Sequence, residues 1–392
     1  MASPAVAENF EEMDCDAGAS TRVAFKRLSL QNFRSYEKAT FDFSEKFVVL
    51  TGRNGAGKTN ILEALSLLGP GRGLRSARLD EMPRLGGNGA WAVSAKIGDE
   101  FEQASIGVGV QADNPDRRAC RVDGQNVSGP SAFAEHIRMI WLTPASDRLF
   151  LEGASVRRRF LDRMTLAHDA SHGKTASAFE KAMRQRQKLL EDRSTDAAWL
   201  EALEIQMAET GVAVAASRRE MAATLAASKI DTGGSFPSAG IALEGELETA
   251  LSNLPAAEVE ENYIKKLRDT RGLDTKAGRA LSGPHRSDLL VTHRDKKQPA
   301  KLCSTGEQKA LLLGLVLANA LALSARPGGA ALVLLFDEVA AHLDEQRREA
   351  LFNVLDTTNF QSFVTGTDRS LFEGWCRHTQ NFAVDSGTAE RT

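Results

Sequence analysis

The sequence predicts an α/β fold: a core sheet carrying a phosphate-binding loop, an antiparallel β subdomain and an inserted helical lobe. Three observations predict it. The run Phe47-Val48-Val49-Leu50-Thr51 reads as a buried parallel strand and leads through a glycine-rich loop into a helix with Ile61, Leu62, Leu65 and Leu68 on its apolar side. Between Trp91 and Leu142 short runs of strand character stand where a simple doubly wound sheet would alternate with helices. From Ser155 to about Ile230 apolar residues recur at helical spacing among many charges.

The glycine-rich loop is Gly52-Arg53-Asn54-Gly55-Ala56-Gly57-Lys58-Thr59, a G-x-x-x-x-G-K-[ST] pattern between a strand and a helix. A loop that wraps phosphates must point successive backbone N–H groups inward, and side chains there would block the approach. Lys58 can then reach the β and γ phosphates and the Thr59 hydroxyl can hold Mg2+, while the helix N-terminus adds partial positive charge. These eight residues are the candidate ATP-binding loop.

Length and composition bound the rest. A chain of 392 residues has room for one large α/β domain with an insertion, or for two domains. Its 26% charged and 42% hydrophobic residues are ordinary for a globular protein. The formal net charge of −3 removes the usual argument for nucleic acid, so any DNA binding must use a local patch. Cys15, Cys120, Cys303 and Cys376 lie far apart, which suggests neither a zinc site nor a disulfide framework and fits a reducing cytoplasm. Residues 1–21 hold no Lys or Arg but five acids, the wrong charge for a signal peptide; they read as a disordered acidic tail. The longest apolar run, Ala310 to Ala325, is short for a membrane span and contains Asn319, so a core helix is expected and no membrane partner.

In chain order, Val23, Phe25, Leu28 and Leu30 suggest a strand leading into Asn32-Phe33-Arg34-Ser35-Tyr36, with a second strand around Phe41 and Phe43. Arg34 is a candidate for nucleotide contact; Phe33 and Tyr36 serve equally well as packing residues. After the phosphate loop's helix, the segment from Gly69 to Arg84 carries Arg72, Arg75, Arg78 and Arg84, candidates for DNA phosphates or simply a solvated loop. Strands are expected at Trp91 to Ile97, Phe101 to Val110, Ala119 to Val122 and Arg138 to Leu142. His168 and His172, four apart, could share a helix face and a metal, but a solvated helix is the default. Helical arms of about 25 residues would extend only about 40 Å, too short for a long coiled coil. Gly233-Gly234-Ser235-Phe236-Pro237 breaks the helices, the insert continues to Asp274, and a strand returns at Leu289 to Thr292.

The run Ala331-Leu332-Val333-Leu334-Leu335-Phe336 reads as a central parallel strand and ends in Asp337-Glu338. An aspartate at such a strand end supports the magnesium shell, so Asp337 is the second metal candidate beside Thr59, and Glu338 is the candidate to position the attacking water. Upstream, Ser304-Thr305-Gly306-Glu307-Gln308-Lys309 precedes the apolar helix, with Ser304 and Glu307 spaced as a capping box.

The order of these parts resembles the ABC-type ATPase head, and it is closest to the RecF family of bacterial recombination-mediator ATPases over nearly the whole chain after the tail. The segments that carry the resemblance are Asn32 to Tyr36, the phosphate loop, Arg157-Arg158-Arg159-Phe160-Leu161-Asp162, Ser282-Gly283-Pro284-His285-Arg286-Ser287-Asp288 and Ser304 to Lys309. It implies lobes at 22–170, 171–278 (helical insert) and 279–392. It also implies an ATP-dependent homodimer in which Ser304, Gly306, Glu307 and Gln308 act on the nucleotide of the other subunit, with Leu343 and Asp344 as the loop after the Asp-Glu strand. Lys58, Asp337 and Glu338 would be catalytic in a slow, DNA-modulated ATPase that engages gapped duplex and single-stranded DNA, acts with RecO and RecR, and helps load recombinase. Several features depart from transporter ATPases: Thr305 replaces the first glycine of their Ser-Gly-Gly-Gln signature, Glu307 lies between Gly306 and Gln308, no glutamine stands near Trp141 to Asp147, and Val364-Thr365-Gly366-Thr367-Asp368 lacks their histidine, leaving Thr365 to be considered as γ-phosphate sensor. A transporter ATPase subunit and a P-loop small-molecule kinase are the alternatives.

Overall fold

The computed structural model describes residues 24–98, 103–192, 196–228, 234–326, 330–372, 375 and 379–392. The expected acidic tail, Cys15 and Cys376 lie outside the described residues. Strands β1 (Phe25–Phe33) and β2 (Tyr36–Asp42) form a hairpin, and β3 (Phe47–Thr51) leads through the phosphate loop into α1 (Lys58–Leu67). Then come β4 (Trp91–Gly98), β5 (Gln103–Gln111), β6 (Asn114–Val122), β7 (Gln125–Val127) and β8 (Ile137–Leu142). In β4 the burial alternates strictly, Trp91, Val93, Ala95 and Ile97 inward, as period-two sequence requires of a sheet with one wet face.

Six of these strands make an antiparallel sheet in the order β2-β1-β4-β5-β6-β7. Its apolar face lies against a second sheet through an aromatic cluster, in which Phe43 meets Phe363 edge-on at 5.0 Å and Phe382 at 5.9 Å. Gln361 ties the two sheets together, its Oε1 accepting from the Phe25 N–H at 2.7 Å and its Nε2 donating to the Phe25 carbonyl at 3.1 Å.

Helix α2 (Ala154–His168) leads into the helical insert, which opens with α3 (His172–Glu191) and α4 (Ala197–Ala227). The 31 residues of α4 make it about 46 Å long, consistent with short arms. His168 and His172 do not share a helix: one ends α2 and the other begins α3, with the chain turning at Asp169. They face different partners, Asn319 and Asp162, so no metal pair forms. The insert is also not helical throughout. Strand β9 (Ala239–Glu244) precedes α5 (Glu246–Ala250), α6 (Ala256–Asp269) and α7 (Arg271–Ala277), and pairs antiparallel with β10 (Asp288–His293), which also pairs with β11 (Gln298–Pro299). Ile241 and Leu243 pack against the main core, a period-two signal too short to stand out between helices.

The last elements are α8 (Thr305–Ser324), β12 (Ala331–Phe336), α9 (Glu345–Asp356), β13 (Gln361–Gly366), β14 (Thr379–Asp385) and β15 (Thr388–Arg391). The core sheet runs β15-β14-β3-β13-β12-β8, parallel except for β15. Helix α1 packs on one face and α8 on the other. Although α8 is apolar and long enough to cross a membrane, 72% of its apolar window is buried inside the protein, as expected of a core helix.

The helical lobe is pinned by a buried charge cluster. Arg186 of α3, 1% exposed, donates to Glu204 of α4 at 3.0 Å, to Asp274 of α7 at 2.7 Å and to the Leu267 carbonyl of α6 at 2.6 Å. Removing one member of such a cluster leaves the others desolvated and unpaired. Arg186→Ala is therefore expected to lower stability by roughly 3–5 kcal/mol in urea unfolding; a loss below roughly 1 kcal/mol would mean the cluster does not hold the lobe.

Candidate nucleotide site and lobe junction

The phosphate loop leaves β3 at the carboxyl end of the parallel sheet, where ligands of open α/β sheets bind. Two of its glycines are required by contact. A Cβ on Gly57, at φ 113°, would lie 2.8 Å from the Tyr36 hydroxyl, and one on Gly52 would lie 2.2 Å from the Val384 carbonyl oxygen. From the other side the β14–β15 turn closes on the loop, the Gly387 N–H donating to the Ala56 carbonyl at 3.4 Å. Lys58, 3% exposed, donates to the Gly52 carbonyl at 2.6 Å and the Arg53 carbonyl at 3.0 Å, so its amine curls over the loop. Burial lowers its pKa, against the opposing pull of Glu338 and Asp337.

Strand β13 lies between β3 and β12, and this sets the spacing of the catalytic candidates. The Thr59 hydroxyl at the start of α1 reaches Asp337 at 3.0 and 3.1 Å from its two carboxylate oxygens. Thr365, at the end of β13 and fully buried, donates to Asp337 Oδ1 at 2.8 Å and accepts from the Glu338 N–H at 2.8 Å. Glu338 has φ 56°, a conformation few non-glycine residues adopt, and the bond to Thr365 helps to hold it. Thr365 thus faces Asp337 and Glu338, placed there by the parallel register that sets Val364 beside Phe336. A hydroxyl and a carboxylate converging here form the hard oxygen set that suits magnesium.

The Ser304 segment caps α8 as the spacing predicts. Ser304 Oγ accepts from the Glu307 N–H at 3.4 Å, and Glu307 accepts from the Ser304 N–H at 2.9 Å. Lys296, on the turn between β10 and β11, pairs with Glu307; this pair and the cap bonds at Ser304 hold the Glu307 carboxyl at about 2. Gly306 lies in the first turn of α8. Gln308 is buried and donates to the Cys303 carbonyl at 2.9 Å. Leu343 precedes Asp344, whose side chain caps α9 by accepting from the Arg347 N–H at 2.9 Å. Asp337, Glu338, Val339 and Leu343 line a narrow cleft with Lys309, which pairs with Asp147 at 2.8 Å.

Around the loop the arginines are mostly engaged. Arg34 grips both oxygens of the Glu63 carboxylate on α1, at 2.6 and 2.8 Å, and Arg75 shares one of them at 2.7 Å. Arg78 pairs with Asp80 at 3.1 Å and Arg84 with Glu37 at 3.5 Å. Arg72 is exposed and has no ion pair among the described residues. Phe33 and Tyr36 are fully buried packing residues.

Two segments far apart in sequence, Arg157 to Asp162 and Ser282 to Asp288, form one polar junction. Arg157 grips Asp288 with two bonds of 2.7 Å. Asp162 receives Arg218 of α4 at 2.7 and 2.8 Å and His172 at 2.9 Å. Arg218 also donates to the Pro284 carbonyl at 2.6 Å, so α2, α4 and the Gly-Pro-His-Arg turn meet at one guanidinium. Nothing in the local sequence singles out Arg218 from the other charges of α4.

A family model described as the RecF/RecN/SMC N-terminal domain matches residues 24–390. A protein of Mesorhizobium japonicum named DNA replication and repair protein RecF is 49% identical over 377 residues, covering 95% of this chain and 99% of its own. The chain belongs to the RecF family. A second RecF, from Brucella suis, is 47% identical and covers 93% of this chain and 96% of its own. A solved structure described as the recombination mediator protein RecF-ATP in the RecFOR pathway has the same fold, with a TM-score of 0.82 at 22% identity over 96% of this chain and 99% of that one. An SMC head domain from Pyrococcus furiosus has a TM-score of 0.53 at 16% identity over 94% and 96% of the two chains. The ABC-type head expected from the order of motifs is thus the fold found.

Burial of Asp162 works against its charge, but the hydrogen bonds and charges of His172 and Arg218 prevail and hold the carboxyl at about 2. Its contribution to stability is complete above the unfolded value near 3.9 and is lost as pH falls toward 2. Acid unfolding of Asp162→Asn should therefore depend less on pH between about 4 and 2 than that of the parent. Parallel stability–pH curves in that window would show that the junction does not depend on this charge.

Proposed function

We propose that this chain, whose relatives are named DNA replication and repair proteins, is an ATP-dependent DNA-binding switch of DNA replication and recombinational gap repair. The observation that carries the reading is the convergence of Lys58, Thr59 and Asp337 at the carboxyl end of the core sheet, with Thr365 fixing the aspartate. Lys58 exchanges its two loop carbonyls for phosphate oxygens when ATP binds. Thr59 and Asp337 would hold magnesium, which would supply neutralising charge to the phosphates. Glu338 positions the attacking water. The Ser304 oxygen accepts from a backbone N–H, so its own hydrogen is free to be donated outward to the nucleotide of a second subunit.

On this reading ATP joins two copies at the boundary of duplex and single-stranded gap, slow hydrolysis modulated by DNA releases them, and RecO and RecR cooperate in loading recombinase. The lobes correspond to 22–170, 171–278 and 279–392. A transporter subunit is disfavoured by the large helical insert and by Thr365 where transporters carry histidine. A monomeric kinase would have no use for Ser304 at an exposed helix start remote in sequence from the phosphate loop.

Glu338→Gln is expected to trap an ATP-bound dimer, seen as a doubled mass in sedimentation; a variant that stays monomeric with saturating ATP would sink the two-subunit mechanism. Thr365→Val should lower turnover roughly ten- to a hundredfold by freeing Asp337 and Glu338, with nucleotide affinity changed far less. Unchanged turnover would remove Thr365 from the mechanism.

A further inference from the structure

The antiparallel sheet has one face buried against the core and one face open, and the open face has an unusual composition. Its register brings together Lys38 and Thr40 of β2, Arg27, Ser29 and Gln31 of β1, Ala92, Ser94 and Lys96 of β4, and Gly107 and Arg121 of β5 and β6. Arg117, two residues before Ala119 on β6, is exposed as well. Lys38, Arg27, Lys96, Arg117 and Arg121 are thus five cations on the face. Among the described residues the acid standing in these rows is Asp42, bound to Arg27 at 2.5 Å. Asp123, at the β6–β7 turn, is occupied by the Ser105 N–H at 2.7 Å. Lys38, Lys96 and Arg117 have no ion pair among the described residues. In a chain of net charge −3, this is a local concentration of positive charge of the kind a polyanion requires.

The middle of the face is low. Thr40, Ser29, Ser94 and Gly107 form one row across four strands, and Ala92, Gly109 and Ala119 follow in the next. Gly109 is needed for packing, since a Cβ there would lie 2.5 Å from the Trp91 carbonyl oxygen. Gly107 is not: a Cβ there would make only an ordinary 3.6 Å contact with Ser94. A glycine within a strand that packing does not require leaves room for another backbone to come close. From β2 to β6 the face spans four strand spacings, about 19 Å, wider than the roughly 12 Å major groove of duplex DNA. Cations at both margins can then meet phosphate rows on either side of a groove.

We infer that the open face of the antiparallel sheet is a docking surface for the phosphate backbone of duplex DNA, with Lys38, Lys96, Arg117 and Arg121 as its contacts. Among the described residues the face carries no aromatic side chain on which unpaired bases could stack, which favours duplex over single strand. Its contacts are to backbone and carry no base sequence. The inference rests on the reading of the chain as DNA-binding and assigns the duplex arm to a different surface from the arginine loop after α1, where Arg75, Arg78 and Arg84 are already paired with acids.

The test compares the full-length protein, with ATP, binding a fluorescent blunt duplex and a single strand of equal length over a series of salt concentrations. For the combined variant Lys38→Ala, Lys96→Ala, Arg121→Ala the log–log salt slope for duplex should fall by roughly 2–3, about 0.9 for each lost phosphate contact. Single-strand binding and ATP-driven dimerisation should hold. Gly107→Tyr, which removes no charge, should weaken duplex binding by obstructing the face while leaving the melting temperature near that of the parent. An unchanged duplex slope in the triple variant, or an equal loss for single strand, overturns the assignment of this face. A parent protein that dimerises with ATP yet binds neither DNA overturns the DNA-binding reading itself.

Discussion

The bond between Thr365 and Asp337 is the constraint on which the site depends. An isolated carboxylate at the end of a buried strand would be costly to desolvate and free to rotate. Here one hydroxyl from the neighbouring strand fixes an oxygen of Asp337 and at the same time accepts the N–H of Glu338, whose backbone stands in a sparsely populated region. The strand that supplies this hydroxyl separates the phosphate-loop strand from the Asp-Glu strand. The site therefore has its geometry from the order of strands in the sheet, and α1 needs only to bring Thr59 to the carboxylate already held.

A different kind of interaction joins the helical lobe to this core. At the junction and within the lobe, guanidinium groups are the hubs: Arg218 links three elements and Arg186 four, each making several charge-assisted bonds at fixed angles. Hydrophobic contacts alone would let helices slide, because apolar packing is not directional. The two arginine hubs remove that freedom. The Gly-Pro-His-Arg turn that one of them grips runs directly into β10 and, through β11, to the Ser304 cap.

Much of this was legible in the sequence. The phosphate loop, the Asp-Glu strand and the capping box were each defined by residues adjacent in the chain, and each lies where its pattern places it. The misses share a cause. His168 and His172 have helical spacing, but the helix ends between them, and spacing alone cannot see a boundary. Strand β9 is six residues long among helices, and none of its residues is fully buried, so little marks it off from its surroundings. The arginine loop looked free because two of its acids, Glu37 and Glu63, come from other elements. Partners that meet only after folding, such as Arg218 and Asp162, leave no local trace.

The closing of the β14–β15 turn against the phosphate loop bears on how the molecule is made. Strand β3 has β13 on one edge and β14 on the other, so the segment holding Gly52 to Gly57 is enclosed by residues about 310 to 330 positions further on. During synthesis from the N-terminal end, the loop's helix and the antiparallel sheet emerge long before either neighbour of β3 exists. For that interval an apolar strand has two open edges, a hazard for mispairing. The nucleotide pocket is thus among the last parts of the protein to be completed, although its most recognisable motif is among the first to be translated.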